Sequence, residues 1–293
     1  GAIKPVVTFT PNWGNILPGD SVTLTCDVPS TVSEEPRTYH WYKDKRPIRG
    51  DQQRLHITSS RVKNSGDYQC QTIGGDISDP VFLGVTINDV ILQRPPSAIY
   101  EGDPLTLRCH HVKDLIAINT KFFKDDQEIK SSESDSTFHI PNITMSQSGL
   151  YKCTKQIHRN DSSNVMERSD VFFISEKELF SPPKIKVTPS RVIEGDEMTV
   201  RCDTRLDPLR GGTELHFAFY RDGRTVRGYN LEGSGNYTCE VRTRSDTVRK
   251  MSDGLYIQIT QIHDYTVQNI IRLVISGFAL SAAVCFIYFH NKW

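Results

Sequence analysis

The sequence has no charge bias, because its 35 lysine and arginine residues equal its 35 aspartate and glutamate residues. Proteins that bind the phosphates of nucleic acids usually have more basic than acidic residues. The composition therefore argues against a nucleic-acid-binding protein. The chain also lacks any serine, cysteine, histidine or carboxylate arrangement typical of a catalytic site, and we expect no enzyme activity and no cofactor. His110 and His111 are adjacent and would point to opposite sides of a strand, so they do not predict a metal site.

Charge is missing altogether from residues 273–289. Together with residues 270–272 this stretch would form a helix of ~30 Å, the thickness of a bilayer core. We therefore predict a transmembrane helix at 270–289, after a stalk at 261–269 and before a cytoplasmic tail at 290–293. The chain begins at Gly1 without methionine, which favours removal of a secretory signal. The expected topology is single-pass type I in the plasma membrane, with the preceding residues outside the cell.

Cysteine is scarce, but six of the seven cysteines lie before the apolar stretch in three successive pairs. Three N-glycosylation sequons accompany them. Both features predict an oxidising, extracellular environment and three disulfides. The pairs are Cys26 with Cys70, Cys109 with Cys153, and Cys202 with Cys239, and the sequons begin at Asn142, Asn160 and Asn236.

Each cysteine pair belongs to a repeat with the same two motifs. A Gly-Asp turn and a strand of alternating apolar and polar residues lead to the first cysteine, and Ser-Gly-x-Tyr-x-Cys ends at the second. This tyrosine spacing is typical of an immunoglobulin-type sandwich, whose two cysteines bridge its sheets. The sequence therefore predicts an all-β fold of three tandem immunoglobulin-like (C2-type) sandwiches, at 1–86, 87–176 and 177–260, followed by one transmembrane α-helix. The expected core aromatics are Trp41, then Phe122 or Phe123, then Phe217 or Phe219.

The third repeat is shortened between its third-strand aromatic and its second cysteine. This distance is 19 residues from Tyr220 to Cys239, against 28 and 30 residues in the first and second repeats. The missing part corresponds to the E strand of the other repeats. We expect a missing or rudimentary E strand, replaced by residues 229–231, and the lowest stability of the three domains.

These motifs support a family resemblance. The chain resembles leukocyte Fc receptors and Fc receptor-like proteins at residues 11–13, 101–110, 217–220 and 225–228. The resemblance implies an immune receptor for an extracellular protein ligand, with immunoglobulin as a candidate. Residues 264–272 resemble the membrane entry of activating receptors, in which an arginine pairs with aspartates of the Fc receptor common gamma-chain dimer or a similar acidic adaptor.

Arg272 is the residue to which the resemblance assigns adaptor pairing. An arginine at the centre of a membrane helix costs ~2.5–3.5 kcal/mol, although one near the helix end can reach the headgroups instead. Ser276, Ala279 and Ala283 follow it on one helix face, where small side chains allow a partner helix to approach. A chain that ends at Trp293 has no tail for a tyrosine-based motif, so we expect the adaptor to supply the signal.

The expected ligand residues depend on the resemblance alone. Family members that bind IgG hold a proline between two tryptophans, where this chain has Val90 and Val112. Valine lacks the flat face that stacks on proline, so the sequence predicts against this contact. A glycan at Asn160 would shield the same loop. The remaining candidates, for which solvated loop charge is the alternative interpretation, are Lys113, Lys124, Lys155, His158 and Arg159.

A second interpretation of the chain is a binding, adhesion or decoy protein that does not signal. Its hydrophobic end would then be a signal for a GPI anchor. The small residues Ser252, Asp253 and Gly254 would supply the cleavage site.

Overall fold

The computed structural model describes residues 4–29, 37–158, 165–195, 197–226, 233–260 and 265–290. It divides into one unit of Gly1–Leu179 with Asp207–Arg210, and a second of Phe180–Leu206 with Gly211–Trp293. The first unit contains two sandwiches, and the second contains a third sandwich and the helix. The all-β fold with one C-terminal helix is confirmed.

The first sandwich packs a three-stranded sheet, of order β1-β3-β6, against a five-stranded sheet, of order β2-β8-β7-β4-β5. Its neighbouring strands are antiparallel, apart from the parallel pair β2 and β8. The strands are β1 (Val6–Thr10), β2 (Asn15–Ile16), β3 (Val22–Asp27), β4 (Tyr39–Lys43), β5 (Arg46–Ile48), β6 (Arg54–Ile57), β7 (Gly66–Thr72) and β8 (Val81–Val85).

The second sandwich packs a three-stranded sheet, of order β13-β10-β9, against a four-stranded sheet, of order β12-β11-β14-β15. Its strands are all antiparallel to their neighbours. They are β9 (Val90–Gln93), β10 (Leu105–His111), β11 (Ile116–Lys124), β12 (Gln127–Ser132), β13 (Thr137–Ile140), β14 (Gly149–His158) and β15 (Val165–Ile174).

The third sandwich is built mainly on β21, which pairs with β19, β22 and β23. Opposite it, β16 and β18 form a two-stranded sheet. The elements are β16 (Lys184–Thr188), β17 (Val192–Ile193), β18 (Thr199–Asp203), β19 (Leu215–Arg221), β20 (Arg224–Thr225), β21 (Gly235–Thr243), β22 (Arg249–Met251), β23 (Leu255–Ile257), β24 (Ile259–Thr260) and the helix α1 (Tyr265–His290).

A disulfide joins the two sheets of each sandwich, with Cα–Cα distances of 6.0, 5.9 and 6.1 Å. In every sandwich an aromatic side chain lies directly across from the second cysteine on the neighbouring strand. The structure thereby selects Phe122 and Phe219 from the two pairs of candidates. The opposed residues are Trp41 and Cys70, Phe122 and Cys153, and Phe219 and Cys239.

The tyrosine of each Ser-Gly-x-Tyr-x-Cys motif fixes the loop that precedes its strand. Its hydroxyl donates to the backbone carbonyl four residues earlier, at 2.7 Å from Tyr68, 2.9 Å from Tyr151 and 2.8 Å from Tyr237. All three rings are buried. A buried phenol needs such a partner, and here it ties the strand to its own loop.

The glycine of the same motif is required by an aspartate. Asp44, Asp125 and Asp222 occupy tight turns at positive φ, and each accepts a hydrogen bond of 2.9 Å from the amide that follows the glycine. A Cβ on the glycine would lie only 2.6–2.7 Å from the carboxylate. In the second sandwich the Leu150 amide, and then Lys124, lower the pKa of Asp125.

The core of the third sandwich is smaller than the cores of the first two, within the described residues. Cys202 is only half-buried, whereas Cys26 and Cys109 are completely buried. Residues 229–231, which we expected to replace the E strand, lie outside the described residues. The shortened sheet therefore stays a prediction.

We expect Gly149→Ala to destabilise the second sandwich by about 1–3 kcal/mol, because the added Cβ displaces the Asp125 carboxylate. Denaturant unfolding of residues 1–260 measures this loss. Gly212→Ala is the matched control, since a Cβ there meets open space. An equal loss from Gly149→Ala in an Asp125→Ala background would contradict the mechanism.

Candidate functional site

The first two sandwiches are joined through a buried asparagine rather than a flexible spacer. The side-chain nitrogen of Asn15 donates to the backbone carbonyl of Leu92 at 2.8 Å, and its side-chain oxygen accepts from the backbone amide of Arg94 at 3.1 Å. The backbone carbonyl of Asn15 accepts from the side-chain nitrogen of the completely buried Gln93 at 3.0 Å. Unmade bonds to buried polar groups are costly, so this network holds the second sandwich in one orientation on the first.

Charged side chains add a second contact at the same junction. His110 Nε2 lies 2.9 Å from an Asp20 carboxylate oxygen, and Arg108 donates to Gln93 at 2.6 Å. Burial alone would raise the pKa of Asp20, but hydrogen bonds from His110 and the Leu17 amide hold it below its usual value. Two of the family-type motifs in the sequence therefore meet here, since the Arg108 guanidinium also lies 5.4 Å from the Trp13 ring.

Beside the junction, Lys155 is buried inside the second sandwich, with 3% exposure. Its ammonium donates to His111 Nδ1 at 3.2 Å and to Ser136 Oγ at 2.8 Å. An accepting Nδ1 requires the neutral ring with its proton on Nε2. Burial, and then the nearby charge of Arg108, lower the pKa of Lys155. Burial, and then the Lys155 charge, likewise lower the pKa of His111.

The structure separates the residues expected to contact ligand. Val90 and Lys155 are buried in the second sandwich, so neither side chain is available to a ligand without rearrangement. Val112 is half-buried and Lys113 is exposed just after β10, and His158 is half-buried at the end of β14. Lys124 ends the nine-residue β11, and at ~3.3 Å per residue it lies roughly 26 Å from the start of that strand. Arg159 and Asn160 lie outside the described residues.

Sequence reasoning missed an exposed apolar row around His158, where β11 and β15 begin. Ile116, Ile118 and Val165 are 56%, 40% and 49% exposed. Ile116 lies across from His158 on one side, and Val165 lies across from His158 on the other. The sequence signal was the alternation of Ile116 and Ile118 around half-buried Ala117. We call Ile116, Ile118, His158 and Val165 the Ile116 surface.

Comparison with known proteins identifies the family. Two immunoglobulin-domain family models match residues 4–72 and 89–170. The chain is 32% identical over 267 residues to Fc receptor-like B of Mus musculus, covering 87% of this chain and 61% of that protein. It is 33% identical over 188 residues to the low affinity immunoglobulin gamma Fc region receptor III-B of Homo sapiens, covering 63% of this chain and 80% of that receptor.

The chain belongs to the Fc receptor and Fc receptor-like family. The resemblance drawn from the sequence motifs is thereby confirmed. A further relative is Fc receptor-like protein 4 of Homo sapiens, 33% identical over 276 residues that cover 89% of this chain and 52% of that protein. The chain therefore covers more than half, but less than two thirds, of the length of these two Fc receptor-like proteins.

The C-terminal helix of this Fc receptor family chain is long and apolar enough to cross a membrane over Gln268–Tyr288. It begins at Tyr265, so the last five residues of the expected stalk are helical. They contain no proline or glycine to stop the helix. The face that carries Arg272, Ser276, Ala279 and Ala283 is exposed along its length.

The expected GPI cleavage site is in conflict with the structure. Ser252 is buried, its hydroxyl accepts from the Cys239 amide at 2.9 Å, and its amide donates to the Cys239 carbonyl at 2.8 Å. Cleavage at residues 252–254 would remove β23 and β24, including buried Ile257. An anchor attached there would break the third sandwich, so this form of the alternative is dropped.

Acid should destabilise the second sandwich through His111. The folded state lowers the pKa of His111, so the unfolded chain binds more protons and stability falls as pH drops below the ordinary histidine value. Protonation would also place a second cation beside Lys155. Arg108 and His110 on the same strand, and Asp20 across the junction, are the other charged or titratable groups at this point.

Thermal melting of residues 1–260 from pH 7.5 to 5.5 measures this effect. We expect a falling melting temperature for the wild type and a flatter profile for His111→Gln. Exposed His56, which bonds to Thr23, gives the control His56→Gln with an unchanged profile. A His111→Gln profile as steep as that of the wild type would show that His111 is not the responsible group.

Proposed function

We propose that this chain is a cell-surface immune receptor whose second domain binds an extracellular protein ligand at the Ile116 surface. The observation that carries the proposal is the exposed apolar row around His158, on a sandwich whose orientation is fixed by the Asn15 network. Exposed apolar side chains flanked by polar and charged groups are typical of protein-binding surfaces. Membership of the Fc receptor family makes immunoglobulin the first ligand class to examine.

The proposed contact differs from the clamp formed by two tryptophans. Val90 is completely buried, so its position offers no side chain at the surface, and Val112 is half-buried. Binding would instead depend on aliphatic contacts from Ile116, Ile118 and Val165. Such a surface has no rigid aromatic anchor, which favours a different epitope from the clamped proline.

Surface plasmon resonance of residues 1–260 against the host's immunoglobulin classes tests this proposal. With a binding class identified, Ile118→Asp should weaken the affinity about tenfold or more, since a buried charge at an interface core is costly. Ile129→Asp is the matched control, because Ile129 is similarly exposed at 37% but lies on β12. Equal losses from the two variants, or none from Ile118→Asp, would count against the Ile116 surface.

We also propose that the helix recruits an acidic adaptor dimer, such as the Fc receptor common gamma-chain, through Arg272. Arg272 is the fifth residue of the Gln268–Tyr288 span, ~6 Å from its start at 1.5 Å per residue. The small residues Ser276, Ala279 and Ala283 continue the same face toward the far end of the helix. A carboxylate on a closely packed partner helix would offset the cost of the buried arginine.

Co-precipitation of the full chain with a tagged gamma-chain, from cells solubilised in a mild detergent, tests the adaptor. We expect Arg272→Leu to abolish the association and Ala279→Leu to weaken it by blocking close approach. Val274→Ala on the opposite face of the helix, two residues and ~200° after Arg272, should leave it unchanged. Association that survives Arg272→Leu would refute the pairing.

A further inference from the structure

The outer face of the third sandwich carries an exposed aromatic residue beside a glycosylation sequon. Tyr256 is 67% exposed in the middle of β23, between half-buried Leu255 and buried Ile257. In the antiparallel pairing of β21 with β23, Tyr256 lies directly across from exposed Asn236. Directly opposed residues have Cβ atoms about 4.5–5.5 Å apart, so a group attached to the Asn236 amide begins next to the Tyr256 ring.

Gly254 provides the space that an attached group would need. A Cβ on this glycine would lie 2.5 Å from the Asn236 side-chain oxygen and 2.6 Å from its nitrogen. The backbone φ of Gly254 is not in the left-handed region. Crowding beside the Asn236 amide, rather than backbone conformation, therefore accounts for glycine at this position.

We propose that the glycan on Asn236 folds over Tyr256, with the apolar face of its first sugar packed on the phenol ring. The glycan would then be a structural part of the third domain, covering an aromatic surface that the protein leaves open. Aromatic rings have a large apolar face that suits such packing. The proposal rests on the extracellular orientation included in the proposed function.

The Asn142 sequon lacks this arrangement and provides an internal comparison. Asn142 is exposed just after the end of β13, between exposed Pro141 and buried Ile143. It lies outside the strands, so no cross-strand aromatic residue faces it. Among the described strands of the second sandwich, a glycan there therefore has no directly opposed aromatic residue.

Hydrogen exchange of the full chain in detergent, after expression in glycosylating cells, tests the contact. Complete enzymatic removal of the glycans should speed exchange in peptides covering β21 and β23 about two- to tenfold. Trimming to a single N-acetylglucosamine should preserve the protection, because the first sugar makes the contact. Deglycosylation of the folded protein avoids any dependence on folding without the sugar.

The matched variants are Tyr256→Ala and Tyr256→Phe. In Tyr256→Ala the exchange should already be fast and should not respond to deglycosylation, whereas Tyr256→Phe should behave as the wild type. Equal responses in the wild type and Tyr256→Ala, at a site shown by mass spectrometry to be occupied, would overturn the inference. An unmodified Asn236 beside a modified Asn142 would also overturn it, whereas both sites unmodified would refute the orientation as well.

Discussion

A disulfide holds the two sheets of each sandwich together, and an aromatic residue lies directly across from its second cysteine on the neighbouring strand. Trp41 and Phe122 are each 1% exposed at this position, and the corresponding Phe219 is half-buried. In the second sandwich, β14 carries Cys153 and continues outward from this core. Lys155 follows Cys153 on the inner face, and His158 then reaches the surface. Core packing therefore controls the direction in which the candidate ligand surface faces.

The buried amide network of Asn15 couples the second domain, which carries the candidate ligand surface, to the first domain. Its hydrogen bonds cross from the first sandwich to the backbone of β9, which pairs with β10. His111 at the end of β10 in turn accepts from Lys155. A change in one part of this chain of contacts would alter the next, because buried hydrogen-bond networks tolerate few unsatisfied groups.

Local patterns predicted the strands and the cysteine pairs, because a spacing of two residues assigns Tyr151 and Cys153 to one strand face. The same parity places Lys155 inside, a signal that the ligand interpretation overlooked when it assigned the residue to a loop. Other features depend on long-range contacts. Gly149 is required by Asp125, 24 residues earlier, and no local pattern identifies that partner. The exposed Ile116 and Ile118 resemble core residues until the register is known.

The short connection between the third sandwich and the helix has a consequence for access. Strand β24 ends at Thr260 and α1 begins at Tyr265, so five peptide steps allow a separation of no more than ~18 Å. A folded domain of 100 residues has a radius of gyration of ~13 Å, so its diameter exceeds ~26 Å and is larger than this gap. The apolar span begins three residues later, at Gln268, which adds only ~4.5 Å of helix. With that span in a bilayer, a macromolecule of this size does not fit between the last strand of the sandwich and the start of the span.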